Sequence, residues 1–524
     1  MYLNIYLKKI SILLFAIINL LLLLPLIDQY TGKIYYLILL FVLSNSYIYY
    51  SLKYSDFFLD KTLSIFIWLG FFYKLSIIFI TNTSLPEGGG AFRYQPEQFD
   101  NLLFFSIVGI SSFFVFSILS KLLVIYKFQK NKNVEESEKK LSEFYKKNKK
   151  IFFSLFLILI IFTTLINFKT GFYQKGLLPK TEVNFILGYF IKWMLLFGLT
   201  SITCLFIDYD YKAYKNISYG VITLFFLELC LSNLSLLSRS LIFSGSAILF
   251  SIYLNYEKII IQKKIINSLT FNYLILFLIF FATVFPINKI RQFQNIDLIY
   301  IAKQELQKSE MQSKIFNKET TKNIDNKTEQ NKIEEIVNKL EERGTSSNLV
   351  LSENFKRFLF VIKYRFVGLD SLAAVTSYPD KNLNLFLMAL KDKYNPNDYG
   401  FYEKTFVMPY ENKELVGKSF KRSSKRQYTV ILPGIISFLS YPGSALFLFF
   451  SCGIIYMICA SIEAIALKFS YGCLIFSNFI GYIIGYRLIH FGYLPRQSYL
   501  MFGAILITIV LIKIFSLAIL NKKK

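Results

Sequence analysis

Apolar runs long enough to cross a bilayer recur along this chain, and they constrain its fold more than any other feature. They lie at about 10–27, 33–50, 62–80, 102–126, 151–168, 185–207, 216–234, 239–256, 269–286, 443–466, 471–490 and 498–519. A hydrocarbon core about 30 Å thick takes about 20 apolar residues per helix, so each run is a candidate transmembrane helix. The first could pass for a signal peptide. It lacks a small-residue cleavage site, however, and "PLIDQYTGKIYYLILL" leads directly into the second run, which predicts an uncleaved helix. The expected fold is an all-α polytopic membrane protein of about twelve transmembrane helices with one large loop. Hydrophobic residues at 54% and aromatics at 18% support it, since soluble domains seldom combine the two.

A net charge of +25 raises the question of nucleic acid. Most of that charge is Lys in short stretches between apolar runs, which membrane topology explains and a nucleic-acid surface does not. The cysteines, Cys204, Cys230, Cys452, Cys459 and Cys473, all lie inside apolar runs, and no CxxC occurs. With a single histidine in the chain, neither a zinc site nor a disulfide framework is expected. No metal and no cofactor is predicted.

Positive charge sets the orientation. With the amino terminus inside, the short inside loops carry Lys8, Lys9, Lys53, Lys61, nine Lys in 127–150, then Lys212, Lys215, Lys258, Lys263, Lys264, Lys468 and Lys522–Lys524. The short outside loops carry far fewer, so both termini are expected in the cytoplasm. The domains expected are 1–286, spans one to nine; 287–428, a large outside loop; and 429–524, a re-entrant segment with spans ten to twelve. The loop begins with a polar, Pro-free stretch, "AKQELQKSEMQSKIFNKETTKNIDNKTEQNKIEEIVNKLEERG", and ends with more apolar periodicity over 349–428.

Lys outnumbers Arg 49 to 10. In that topology none of the arginines falls in an inside loop, a skew that the positive-inside rule does not predict, since it treats the two residues alike. A guanidinium differs from an ammonium in its planar fork, which grips phosphate oxygens in pairs. Arg239, Arg291, Arg365, Arg487 and Arg496 are therefore candidate ligands for a phosphate or diphosphate at the outer edge. Exposed loop surface accounts for others, such as Arg343, Arg422 and Arg426. Glu228 and Lys192, at similar depth in neighbouring spans, are expected to pair with each other or with Arg239. The only histidine, His490, follows Arg487 by three residues in "GYRLIHFGYLPRQSY", on one helix face, with Arg496 just beyond the turn. An imidazole there could serve as a general base, or merely hydrogen-bond a backbone carbonyl.

Four stretches resemble the O-antigen polymerase (Wzy) family of oligosaccharide repeat-unit polymerases: "LLSRSLIFSG", "RQYTVILPGIISFLSYPGSALFLFFSCGIIYM", "LPRQSYLMFGAILI" and "RFVGLDSLAAV". Phe438 stands where members of that family often carry an acidic residue. The resemblance implies a GT-C-like polymerase bundle: a metal-independent glycosyltransferase whose donor and acceptor are oligosaccharides on undecaprenyl diphosphate in the bacterial inner membrane. It adds Asp370 beside His490 as a catalytic candidate, with Glu353 and Glu403 also open, and a chain-length regulator as a partner. A ligase of the same topology relies on a His in the large loop, and 287–428 has none. A polysaccharide flippase would not need so large a loop.

Overall fold

The computed structural model describes residues 2–80, 85, 90–124, 132–175, 185–238, 241–260, 271–287, 290, 366, 368–392, 400–410, 433–490 and 495–521. The chain divides into two units, Met1–Lys289 with Val367–Lys524, and Ile290–Phe366. Apart from its two end residues, the second unit lies outside the described residues. The segment expected as one loop thus parts at its middle: 367–428 belongs with the helices of the first unit.

The first unit is helical, with no strand among the described residues. Its helices are α1 (Tyr2–Gln29), α2 (Ile34–Lys53), α3 (Phe58–Ile80), α4 (Pro96–Val124), α5 (Lys132–Thr170), α6 (Ile186–Tyr214), α7 (Tyr219–Ser235), α8 (Leu241–Ile260) and α9 (Phe271–Ile287). After the second unit come the short α10 (Leu369–Thr376), α11 (Leu383–Leu390) and α12 (Gly434–Leu439), then α13 (Ala445–Phe469), α14 (Leu474–Ile489) and α15 (Pro495–Asn521). Every expected span coincides with a helix. Seven of these, α2 to α6, α13 and α15, are long and apolar enough to cross a membrane. The apolar parts of α1, α7, α8, α9 and α14 are shorter, at 10–17 residues.

Outward faces identify the solvent these helices need. On α13, Leu446, Phe450, Ile454 and Ile458 stand one turn apart and are each more than half exposed. On α15, Ile507, Val510, Leu511, Ile514 and Phe515 form a similar stripe. A helix that is apolar on its exposed face as well as its buried one belongs in hydrocarbon. The chain is a multi-pass helical membrane protein.

Two of the helices that begin with no cap of their own are capped from elsewhere in the chain. Phe57 and Cys473 precede α3 and α14, and neither side chain can accept from the orphan amides of the first turn. Carboxylates from elsewhere do so. Glu463 on α13 accepts from the Phe58 and Leu59 amides at 2.7 and 3.0 Å. Asp208 on α6 accepts from the Ile475 and Phe476 amides at 2.9 and 3.1 Å. Both carboxylates are buried. Each meets the positive end of a helix dipole, which offsets the cost of holding charge away from water. These bonds tie α3, α6, α13 and α14 together at one end of the bundle, its lower end.

Gly481 makes the Glu463 cap possible. A Cβ there would lie 2.3 Å from Glu463 Oε2 and 2.8 Å from the Leu59 nitrogen. Gly481→Ala is therefore expected to displace the cap and destabilise the bundle by about 1–3 kcal/mol, as overpacking does. Thermal unfolding of the purified protein in detergent checks it: an unchanged midpoint would show that the carboxylate has room to move.

From that shared contact the helices rise to different heights. At 1.5 Å per residue, α13 climbs about 27 Å from Glu463 to its upper end and α3 about 31 Å from Leu59, whereas α14 climbs only about 12 Å from Gly481. Contacts along α14 agree: Gly485 faces Thr62, and His490 reaches only Phe66. The upper end of α14 thus stops well below those of α3 and α13. α12 packs on α14, α10 and α13, and every residue of α10 and α12 is buried. Polar bonds hold these two short helices in place. Ser371 Oγ donates to the Pro433 carbonyl at 2.6 Å, and the Ser371 and Ser437 hydroxyls share a bond of 3.0 Å. Asn101 Nδ2 donates to the Thr376 carbonyl at 3.1 Å. Lys74 and Asp370 form an ion pair of 2.5 Å with both side chains buried.

Candidate functional site

The turns that end α5 and α7 meet in one layer. Asn167 Nδ2 donates to the carbonyls of Ser235 and Tyr173, which fixes the segment after α5 against the end of α7. Tyr173 then faces α6, where the Lys192 ammonium lies 4.8 Å from its ring centroid. Arg487, on the last turn of α14, is held by α15. Its Nε donates to Ser498 Oγ on α15 at 3.3 Å. An ammonium over an aromatic ring and a guanidinium on a hydroxyl thus stand at the ends of α6 and α14.

Among the described residues no carboxylate forms an ion pair with Lys192 or Arg487. Glu228 does not pair with Lys192: its Oε1 takes bonds from the hydroxyls of Thr200 and Ser232, at 3.1 and 3.0 Å, and the other expected partner, Arg239, lies outside the described residues. Glu228 is fully buried, and Oε2 has no hydrogen-bond partner. Thr200 and Ser232 supply the short-range donors that a lysine or arginine was expected to give.

His490 closes α14. Its Nδ1 lies 2.9 Å from the Tyr486 carbonyl. A carbonyl only accepts, so the neutral ring carries its proton on Nδ1. The imidazole stacks on Tyr486 at 4.1 Å between centroids and meets Phe66 edge-on at 6.1 Å. Phe66 and Tyr486 both also contact Phe243 at the start of α8. These rings fix the orientation of the imidazole one turn from the Arg487 guanidinium.

The other expected residues fall elsewhere. Asp370 pairs with Lys74, and Lys74 stands two turns beyond Phe66 on α3, about 12 Å of helix rise. His490 and Asp370 therefore do not form one dyad. Asp370 Oδ1 has no hydrogen-bond partner. Glu403 is buried, with Oε2 accepting from the Gly400 amide at 3.0 Å. Phe438 is buried in α12 against Phe386 and Tyr441. Arg496 falls in the first turn of α15, with its side chain outside the described residues; Arg239, Arg291, Arg365 and Glu353 lie wholly outside them. Tyr378 packs on both Phe406 and Tyr410.

Two lysines set in apolar helices, Lys74 and Lys192, flank π-helical turns. Lys74 directly follows Trp68–Tyr73, and Lys192 stands just before Met194–Gly198. A π turn inserts one residue, so the side chains on either side of it no longer share the face that a regular helix would give them. That shift is invisible in apolar sequence. The lysines themselves, alone inside apolar runs, are the signal that the sequence does carry.

The fold and this layer define a helical membrane protein with a cationic, aromatic-lined site where α14 ends short of its neighbours. Compared with known protein families, curated proteins and solved structures, the chain matches none.

Proposed function

We propose that this chain is a membrane glycosyltransferase that polymerises oligosaccharide repeat units carried on undecaprenyl diphosphate into a surface polysaccharide. The observation that carries the reading is the Arg487–His490 pair, a guanidinium and an oriented imidazole one turn apart on a helix of the apolar bundle. Charge held beside hydrocarbon is costly and is generally kept for a task.

The chemistry follows from those groups. An acceptor sugar hydroxyl attacks the anomeric carbon of the donor glycan. The new C–O bond forms as the bond to the lipid diphosphate breaks, and that electron pair leaves on the diphosphate oxygen. The His490 imidazole takes the hydroxyl proton as general base. Arg487, held by Ser498, stabilises the charge growing on the leaving diphosphate, where scarce water makes a fixed donor effective. In this reading Asp370 is a tether for α10 rather than the base. Arg239, Arg291, Arg365 and Arg496 are the further diphosphate ligands that the sequence nominates. The twelve helices then all span the bacterial inner membrane, with both termini cytoplasmic and the large loop outside. A chain-length regulator is the expected protein partner.

Deleting the gene should reduce the surface glycan of its host to a single repeat unit and leave lipid-linked single units in the membrane. Complementation with the wild-type chain restores long ladders, and His490→Gln at normal protein level does not. Long glycan in the deletion strain would remove the reading.

A further inference from the structure

The lower end of the bundle holds positive charge of its own. We propose that Lys53, Tyr54 and Lys121, where α2 and α4 reach that end, bind the phosphate of an anionic phospholipid whose acyl chains lie along the outward faces of the same two helices. Such a site does not depend on the polymerase reading.

Both helices close on a lysine. Lys53 is the last residue of α2, and the apolar length of α4 ends at Lys121. Tyr54 joins the two. The Lys53 ammonium lies 5.0 Å from the ring centroids of both Tyr49 and Tyr54, and it donates to the Tyr49 hydroxyl at 2.6 Å. The Lys121 ammonium donates to the Tyr54 carbonyl at 2.7 Å. Rings and a carbonyl orient these cations and leave their charge intact. Lys53, Tyr54 and Lys121 are all exposed. Among the described residues neither lysine forms an ion pair. Asp56 is exposed and pairs with neither, and Asp60 is buried, where it accepts from the hydroxyls of Tyr47 and Ser55.

What lies beside the lysines selects the ligand. Tyr49 precedes Lys53 by four residues and Ile118 precedes Lys121 by three, so each lysine shares a helix face with that neighbour. Those faces are apolar and exposed, through Ile38, Val42 and Tyr49 on α2 and Val115, Ile118 and Leu119 on α4. The two helices pack side by side, with the Phe114 ring 5.5 Å from Tyr47 and 5.4 Å from Tyr50. A soluble phosphate ester gains the lysines alone. A phospholipid also gains the apolar faces, and it carries its charge at the depth where lysine and tyrosine end a membrane helix. A zwitterionic headgroup would bring a cation of its own against two ammoniums, which like-charge repulsion disfavours.

Native mass spectrometry of the full chain in detergent, titrated with phosphatidylglycerol, phosphatidylcholine or glycerol 3-phosphate, tests the site. Wild type should retain one phosphatidylglycerol at a concentration where it retains no phosphatidylcholine, and glycerol 3-phosphate should not displace that lipid. Lys53→Gln with Lys121→Gln should weaken phosphatidylglycerol binding by about 10- to 30-fold, the loss expected of two lysines at an anionic lipid surface. Lys53→Arg with Lys121→Arg should keep it. Lys147→Gln with Lys150→Gln, at two exposed lysines of α5, removes the same charge and should bind as wild type does. Each variant is compared as monodisperse protein. Equal retention of the two lipids, wild-type affinity after Lys53→Gln with Lys121→Gln, or an equal loss after Lys147→Gln with Lys150→Gln overturns the site. Displacement by glycerol 3-phosphate overturns the lipid assignment and gives the lysines to a soluble phosphate ester.

Discussion

Replacing Asp370 with Leu lowers the stability of the folded chain by about 3–5 kcal/mol, and adding Lys74→Met to the same chain recovers most of the loss. The reason is the environment of the pair. Both side chains are buried, at 2% and 1% exposure, and they meet at 2.5 Å. Removing one partner leaves an uncompensated charge where water cannot reach it. Removing both exchanges an ion pair for packed apolar groups, which proteins tolerate and at times prefer. The loss should extend beyond the pair itself, because α10 is entirely buried and Ser371, next to Asp370, holds Pro433 and Ser437 of the following segment. The fraction of monodisperse protein surviving a heat ramp in detergent, compared among wild type, the single variant and the double variant, measures it. A double variant no more stable than the single one would show that Asp370 acts through something other than Lys74.

Arg487→Lys should cut the polymerisation rate by about 10- to 150-fold at unchanged protein level. The substitution keeps a positive charge but loses the planar fork, and with it a charge-assisted bond worth about 1.5–3 kcal/mol in a transition state where charge develops on phosphate. A host that carries 49 lysines and 10 arginines retains a guanidinium here, beside hydrocarbon. Ladder length against time, with the protein quantified by blot, is the readout. Full-length ladders at the wild-type rate would show that charge alone suffices.

The spans were legible because hydrocarbon demands long apolar helices whatever the topology, and each expected run coincides with a helix. The staggering of those helices was not legible. It depends on contacts such as Glu463 with the Phe58 amide, 405 residues apart in sequence, and on glycines at Gly481 and Gly485 that let α14 approach α3 closely. A one-dimensional reading placed Arg487 and His490 at an outer helix end; only the short climb of α14 shows how far that end lies below its neighbours. Lys192 stands out in the sequence as a charge in an apolar run, but among the described residues it does not pair with Glu228. The π turn beside it changes the face that it shares, and hydroxyls from Thr200 and Ser232 take the place expected of a cation at Glu228. The Lys74–Asp370 pair spans 296 residues and joins the bundle to a segment that reads as loop surface, so neither residue pointed to the other. Lys74 inside "WLGFFYKLSIIFI" did signal that a buried partner had to exist.

The most direct test of the central claim is reconstitution. The purified chain, placed in vesicles with lipid-diphosphate-linked single repeat units and no other enzyme, should produce glycan of two or more units and release one lipid diphosphate for each bond formed. The same vesicles holding His490→Gln should produce neither. Vesicles in which the single units remain single, with the wild-type protein folded and correctly inserted, would contradict the account.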